Sequence, residues 1–172
     1  MGKISSTGAA ALVFVVTAIA TADANDRSVR AVMIPPSACE APATTTAKLS
    51  AAGWTVQNGD SAAFICPLPI NNIELGGTTD DADISKFRAH YRDSDGLGTV
   101  NSVEVILIQH RVGPFVQTGI CGATLAPSTT DFTSSTVPCV HDVASGGRFY
   151  QFFVRLKSGP AGSASFLGID FP

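Results

Sequence analysis

The chain has 172 residues, of which 11 are Lys or Arg and 14 are Asp or Glu, so its formal net charge is −3 at pH 7. This balance argues against a general nucleic-acid-binding protein, because such proteins concentrate positive charge to meet the phosphate backbone. Hydrophobic residues make up 45% of the chain, and a chain of this length can bury the core of one domain.

The first 24 residues have the pattern of an export signal. Lys3 supplies a positive start, residues 8–20 form a short apolar run, and Ala22-Asp23-Ala24 places small residues before a cleavage site. The run is too short to cross roughly 30 Å of hydrocarbon, and no later segment has the ~20 apolar residues of a membrane helix. We therefore predict that residues 1–24 are a signal peptide and that residues 25–172 form a single secreted domain, periplasmic or extracellular.

The rest of the chain predicts strands, because apolar residues alternate or form short runs between Gly, Pro, Asn, Asp and Ser. In chain order, we expect extended segments at 31–34, 44–49, 54–57, 62–66, 84–92, 103–110, 115–124, 136–141, 148–157 and 163–171. About eight regular strands at such short spacing are typical of an all-β sandwich of two sheets, either jelly-roll or immunoglobulin-like.

Two of these regions carry more specific expectations. Residues 54–57 and 62–66 flank Asn58-Gly59-Asp60, a sequence typical of a hairpin turn, which predicts that the two strands pair. Residues 103–110 (VEVILIQH) are apolar on both alternating faces, which predicts a central strand covered on both sides.

Four cysteines, Cys39, Cys66, Cys121 and Cys139, follow the export signal. Disulfides are the default in an oxidising compartment, and four cysteines allow three pairings. We favour Cys39–Cys66 and Cys121–Cys139, because each pair encloses one local segment and such pairs are the easiest to bring together in a hairpin-rich fold. The alternative, four thiolates on zinc, lacks any C-x-x-C spacing.

Several short motifs resemble those of a loose group of small exported bacterial proteins of unknown function. They are an early Cys39, Phe64-Ile65-Cys66-Pro67-Leu68, Tyr91-Arg92-Asp93 and Phe149-Tyr150. The resemblance covers residues 34–170, and its distinctive element is the Cys-Pro-Leu sequence. It implies a β-sandwich fold and export, and it carries no catalytic residue over.

The histidines His90, His110 and His141 do not fall into a recognisable catalytic motif. The sequence contains neither a G-x-S-x-G nucleophile turn nor an H-E-x-x-H zinc motif. His90 and His110 would form a metal pair if their strands paired, although histidines on solvated strand faces are more often ordinary polar residues. We therefore expect a non-catalytic protein, with a small secreted enzyme whose site is built from loops as the alternative.

Acidic residues cluster at 80–83 and again in Asp93-Ser94-Asp95-Gly96. Asp93 and Asp95 would give calcium two carboxylates beside a glycine that allows a sharp bend. The next expected ligand position holds Leu97, and the twelfth position, Glu104, falls in a predicted strand. Because Asp and Gly are also ordinary turn formers, we expect no cofactor, with calcium at Asp93 and Asp95 as the alternative.

Residues 84–92 carry the most unusual charge pattern of the chain. Phe87, Ala89 and Tyr91 alternate with four cationic residues, here called the basic row: Lys86, Arg88, His90 and Arg92. Side chains on one face of a strand repeat about every 6.6 Å, so these groups would form a linear positive row in a protein of negative net charge. Such a row would engage an acidic polysaccharide or a lipid phosphate; the competing interpretation is a solvated face that protects an edge strand from pairing.

The combined prediction is a secreted, non-catalytic surface, adhesion or envelope-associated binding module. Its partner would be an anionic polysaccharide or another cell-surface component, bound through the basic row, with no nucleic-acid partner. A calcium-dependent carbohydrate-binding module is a further alternative. Trp54 could stack on a sugar, but beside Cys66 it is predicted to pack in the core near a disulfide.

Overall fold

The computed structural model describes residues 33–41, 46–51, 53–68, 82–96, 98, 100–111, 113, 116–127, 129–143 and 148–172. The predicted signal peptide and the residues Asp80 and Asp81 lie outside these ranges. The described residues form one 3-10 turn at Pro36–Ala38 and ten strands: β1 Met33–Ile34, β2 Lys48–Ser50, β3 Gly53–Gln57, β4 Ser61–Pro67, β5 Ala82–Asp93, β6 Ser102–Arg111, β7 Val116–Leu125, β8 Thr133–Val143, β9 Arg148–Lys157 and β10 Ser163–Asp170. No helix among them is long and apolar enough to cross a membrane.

The strands form two antiparallel sheets that pack face to face. Sheet A has the order β2-β3-β10-β5-β8, with β1 paired to the end of β10, and sheet B has the order β4-β9-β6-β7. Among the eight described strands from β3 to β10, β6 and β7 are the only consecutive strands that share a sheet, and β3/β10, β4/β9, β5/β8 and β6/β7 pair like a long hairpin rolled upon itself. This is the jelly-roll arrangement, so the all-β sandwich prediction is confirmed and its immunoglobulin-like version is excluded.

The core lies between the inner faces of the two sheets. Phe87 on β5 meets Phe152 on β9 edge to face, with ring centroids 4.9 Å apart, and Phe64, Tyr91 and Phe166 are fully buried around them. Burying an aromatic side chain of this size contributes roughly 2–3 kcal/mol. Alternation along the strands supplies these rings to the inner side and places the residues between them on the outer side.

The predicted hairpin at Asn58-Gly59-Asp60 is wrong. Both Asn58 and Gly59 adopt positive φ, as the dipeptide favours, and the Asp60 amide donates to the Gln57 carbonyl, so the tight turn forms. However, β3 pairs with β10 in sheet A, whereas β4 pairs with β9 in sheet B. The turn therefore carries the chain from one sheet to the other.

The two strands that carried the main sequence signals both lie inside their sheets. β6 lies between β9 and β7, so the predicted central strand is confirmed, but its outward residues Glu104 and Ile106 are only half-buried and the predicted cover on both faces is wrong. β5 lies between β10 and β8. Arg88 and His90 have partners on both β10 and β8, so the interpretation of the basic row as protection of an edge strand is wrong for these two residues.

Both predicted disulfides are present. Cys39–Cys66 ties the segment after the 3-10 turn to β4. Cys121–Cys139 joins β7 to β8, and these two strands are the edges of sheets B and A on one side of the sandwich. The second bond therefore closes that side.

Candidate functional site

The outward side of sheet A carries the basic row. Phe87, Ala89 and Tyr91 are buried toward sheet B, while the alternating positions Lys86, Arg88, His90 and Arg92 are exposed or half-buried on the outer side. The predicted two-sided pattern of this strand is therefore confirmed. We call the outer side of sheet A the basic face.

Arg88 and His90 share one carboxylate on the neighbouring strand. Arg88 Nε donates to Asp170 Oδ1 at 2.9 Å and Arg88 Nη2 donates to Asp170 Oδ2 at 2.5 Å. The two residues therefore form a bidentate ion pair. His90 Nε2 lies 3.4 Å from the same Oδ2. The hydrogen bond from Arg88 holds the pKa of Asp170 below its ordinary value, so this carboxylate stays charged.

Arg92 is held by the loop before β8. Its Nε donates to the Thr130 carbonyl at 3.0 Å, and its guanidinium lies 5.5 Å from the centre of the Phe132 ring. Such a cation–π contact fixes an arginine without removing its charge. Arg92 therefore stays positive and is oriented by Thr130 and Phe132.

The positive charge extends across the sheet from β5 to β2. Arg92 lies beside Ser165 on β10, Ser165 beside Thr55 on β3, and Thr55 beside Lys48 on β2. The hydroxyls of Thr55 and Ser165 hydrogen-bond to each other at 2.9 Å. This line of short polar side chains connects the two cations without a bulky residue between them.

The outward side of sheet B is different: it is apolar and aromatic. Ile65, Phe153 and Ile106 lie side by side on β4, β9 and β6, all half-buried. Farther along the same side, the rings of His110 and Phe149 stack in parallel, with centroids 4.4 Å apart and planes 1° apart. Phe149 is 45% exposed. We call this side the apolar face.

An open groove of about 380 Å³ runs along the apolar face between β6 and β7, lined by Glu104, Ile106 and residues 119–124. Gly122 is opposite Ile106, and a Cβ atom there would lie 2.6 Å from the Val105 carbonyl oxygen. Only glycine fits this close approach, and its missing side chain leaves the groove open.

Polar groups flank the groove and the rings. Arg155 Nη2 forms an ion pair with Glu104 Oε2 at 2.5 Å. Gln151 lies beside Ile108, between the His110–Phe149 pair and the row that contains Phe153. The apolar face thus combines flat rings with hydrogen-bonding side chains. Our sequence interpretation missed it, because outward isoleucine and phenylalanine look the same as buried ones in a strand pattern.

Asp93 and Asp95 serve their own loop. Asp93 is 1% exposed and its Oδ1 accepts from the Asp95 amide at 3.2 Å, while Asp95 Oδ2 accepts from the amides of Val100 and Asn101 at 3.1 Å. Burial, with the adjacent Asp95, raises the pKa of Asp93 to about 6, and the contact with Asp93 lowers the pKa of Asp95.

The geometry does not favour calcium at this turn. Glu104, the residue at the twelfth position, lies on the apolar face and pairs with Arg155. Across the described ranges, no three His, Cys, Asp or Glu residues are grouped so that they could hold a metal ion. Asp93 and Asp95 therefore act as acceptors for backbone amides at the end of β5.

The strand pairing that a His90–His110 metal pair would require is absent from the described strands. His90 lies on β5 in sheet A and His110 on β6 in sheet B, so their strands do not pair. His141 Nε2 lies 3.2 Å from the Tyr150 hydroxyl, to which Gln109 Nε2 donates at 2.6 Å. His141 on β8 and Tyr150 on β9 therefore form a structural contact between the two sheets.

Trp54 packs against the core, as predicted. Its indole Nε1 donates to the Pro36 carbonyl at 2.8 Å, and its ring lies 4.9 Å from that of Phe64. Pro36 O also accepts from the Cys39 amide, so the indole anchors the segment that leads into the first disulfide.

Known proteins resemble this chain in architecture rather than in sequence. No family model and no curated protein matches the sequence. Among solved structures, a xylan-binding module CBM15 has 16% sequence identity and a TM-score of 0.47, over 81% of this chain and 94% of that chain. A Family 16 carbohydrate-binding module has 15% identity and a TM-score of 0.45, over 75% and 89%. CBM36, solved in complex with calcium and xylotriose, has 12% identity and a TM-score of 0.45, over 82% and 99%.

Proposed function

We propose that this chain is an exported, non-catalytic module that binds a polysaccharide along the apolar face. The observation that carries the proposal is the combination of the stacked His110–Phe149 rings with an open groove floored by Ile106. Sugar rings present apolar C–H faces and a rim of hydroxyls, so they bind to exposed aromatic rings next to hydrogen-bonding side chains.

The polar groups of the apolar face fit this role. Gln151 lies in the row between Phe149 and Phe153 on β9, and the Arg155–Glu104 ion pair lies at the groove. An amide, a guanidinium and a carboxylate together can both donate to and accept from sugar hydroxyls. A flat strand surface open along its length would accept a chain rather than a single sugar.

Export is part of the proposal. Residues 1–24 would be removed as a signal peptide, and the two disulfides would form in an oxidising compartment. The mature module, residues 25–172, would then act outside the cytoplasm as a surface, adhesion or envelope-associated component.

The enzyme alternative lacks an assembled site among the described residues. Residue types of a hydrolytic triad do come together on the basic face, because His90 lies between Asp170 on β10 and Ser134 on β8. However, Asp170 forms a bidentate ion pair with Arg88, and no hydrogen bond joins Ser134 to His90. A triad needs its base bonded to the nucleophile and oriented by the acid.

The test is binding to a panel of soluble neutral polysaccharides with Phe149→Ala and Phe132→Ala as matched variants. Both phenylalanines are about half exposed, Phe149 at 45% and Phe132 at 51%, but Phe132 lies on the opposite side of the sandwich against Arg92. We expect Phe149→Ala to weaken binding about tenfold, the effect of losing one ring contact of roughly 1.4 kcal/mol, and Phe132→Ala to leave it unchanged. Equal loss in both variants, or no binding by the wild type, would refute the proposal.

A further inference from the structure

We infer that the basic face is a second binding surface, separate from the apolar face, and that its ligand is the negatively charged backbone of an acidic polysaccharide. The inference assigns an additional substrate class to the module and rests on the proposed function in that the ligand is a glycan. It uses the opposite side of the sandwich, so the two surfaces can succeed or fail independently.

The positive charge of the basic face favours a polyanionic ligand. The whole chain has a net charge of −3, but the described outer side of sheet A carries the cations Lys48, Lys86, Arg88 and Arg92 beside the carboxylate of Asp170. The same strands also carry Asp83 and Asp142, which are register partners at the start of β5. A positive surface on an acidic protein attracts polyanions to that surface alone.

The shape of the basic face favours a linear polymer. The residues beside the basic row on β8 are Thr136, opposite Arg88, and Ser134, opposite His90. On the other side, β10 places Gly168 opposite His90 and Ser165 opposite Arg92. Because these neighbours are short, the long cationic side chains stand above a shallow floor, and a linear polymer could lie along β5 and meet one charge about every 6.6 Å.

The two arginines of the basic face are oriented before a ligand binds. Arg92 is already oriented by the Thr130 carbonyl and the Phe132 ring, and Arg88 by Asp170. A side chain that is ordered before binding loses less conformational entropy when the ligand arrives. Arg92 has no carboxylate partner in these contacts, so its guanidinium remains available to an anion.

Asp170 acts as an internal competitor for the ligand. It accepts hydrogen bonds from Nε and Nη2 of Arg88 and lies beside His90. A ligand carboxylate would otherwise bind to these two donors of Arg88. This position gives the inference an unusual consequence. Removing the negative charge of Asp170 should strengthen polyanion binding at the basic face, because Arg88 would no longer be paired with a carboxylate of the protein.

The experiment measures binding of the full-length mature protein to polygalacturonate, dextran sulfate, neutral dextran and double-stranded DNA, at low and at physiological salt. The variants are Asp170→Asn and Lys86→Gln, with Lys157→Gln as the matched control. Lys86 and Lys157 are both exposed strand lysines and their replacement changes net charge equally, but Lys157 lies on β9 in sheet B.

We expect Asp170→Asn to bind polygalacturonate several-fold more tightly than the wild type, Lys86→Gln to bind about fivefold more weakly, the effect of one cation near an anionic surface, and Lys157→Gln to equal the wild type. Affinity should fall as salt rises. Tighter binding to polygalacturonate than to dextran sulfate would assign carboxylates as the preferred groups, and the reverse would assign sulfates; either supports an acidic glycan.

Equal effects of Lys86→Gln and Lys157→Gln, or no gain in Asp170→Asn with unchanged thermal stability, would overturn the inference, and so would tighter binding to DNA than to both acidic glycans. Phe149→Ala separates this inference from the proposed function. It should lose neutral-glycan binding and keep polygalacturonate binding, whereas loss of both ligands in this variant would contradict a separate surface.

Discussion

The two outer sides of this sandwich are built from the same alternating strands but present opposite chemistry. On sheet A, the outward residues of β5 are cations set among serine, threonine and glycine. On sheet B, the outward residues of β9 and β6 include phenylalanines, isoleucines and a stacked histidine, with Gln151 and the Arg155–Glu104 ion pair beside them. The inner faces are alike, since both supply aliphatic and aromatic side chains to one core.

The inner residues of the strands determine the fold, whereas the outer residues are free to determine binding. Strand alternation separates the two tasks at every second position. A substitution on β9 should therefore affect either stability or binding according to the side on which the residue lies.

The largest expected effect comes from an inward residue of β9. Phe152 is fully buried and contacts Phe87 and Phe171, so Phe152→Ala should lower the free energy of unfolding by about 3–5 kcal/mol through lost burial and a cavity. Phe149→Ala, three residues earlier and outward, should lower it by less than about 1 kcal/mol. Chemical denaturation of both variants measures this; similar losses would break the division between inner and outer residues.

The next effect concerns the bond that joins the edges of the two sheets. The double substitution Cys121→Ser with Cys139→Ser removes a bridge that closes 18 residues of sequence separation, and it should lower the free energy of unfolding by roughly 3 kcal/mol. For a domain of this size that corresponds to a drop in melting temperature of about 10 °C. A scanning calorimeter measures it.

The matched control for that change is Cys39→Ser with Cys66→Ser, whose separation is 27 residues. Loop entropy grows slowly with length, so the two losses should be similar. A much larger loss for Cys121 and Cys139 would show that closing the edges of the sheets matters more than shortening the unfolded loop.

The smallest effect is a pH dependence at the end of β5, the strand of the basic row. The folded pKa of Asp93 is about 6, above the ordinary value near 4, so the folded state holds this proton more tightly than the unfolded state. Its contribution to stability is therefore fully present below about pH 4 and is lost as pH rises to about 6.

Asp93→Asn should remove that loss, because asparagine can still accept from the Asp95 amide and carries no charge. At pH 8 the variant should be more stable than the wild type by on the order of 1–2 kcal/mol, and the difference should shrink toward pH 4. Urea melts at several pH values measure it, with the exposed Asp131→Asn as control. A difference that does not change with pH would contradict this assignment.

Local patterns predicted much of the fold. The alternation of residues 86–92 gave the correct inner and outer sides of β5, the run at 148–157 coincides with β9, and both disulfides were predicted from short separations. Each of these depends on neighbours in sequence, which a single chain displays directly.

The errors concern partners that are distant in sequence. Asn58-Gly59 forms its tight turn, but the partner of β3 is β10, more than a hundred residues later, and no local pattern reports that pairing. The counter-ion of Arg88 is Asp170, 82 residues away. The apolar face was missed because the outward Ile106 and Phe153 become neighbours only when β6 and β9 pair.

The most direct test of two separate binding surfaces is nuclear magnetic resonance of the ¹⁵N-labelled mature protein, titrated with a neutral oligosaccharide and, in a second sample, with an oligogalacturonate. We expect the neutral ligand to shift the backbone amides of Ile106, Phe149 and Phe153 on the apolar face. The acidic ligand should shift those of Arg88, His90 and Arg92 on the basic face. Shifts from both ligands on the same face would contradict two separate surfaces.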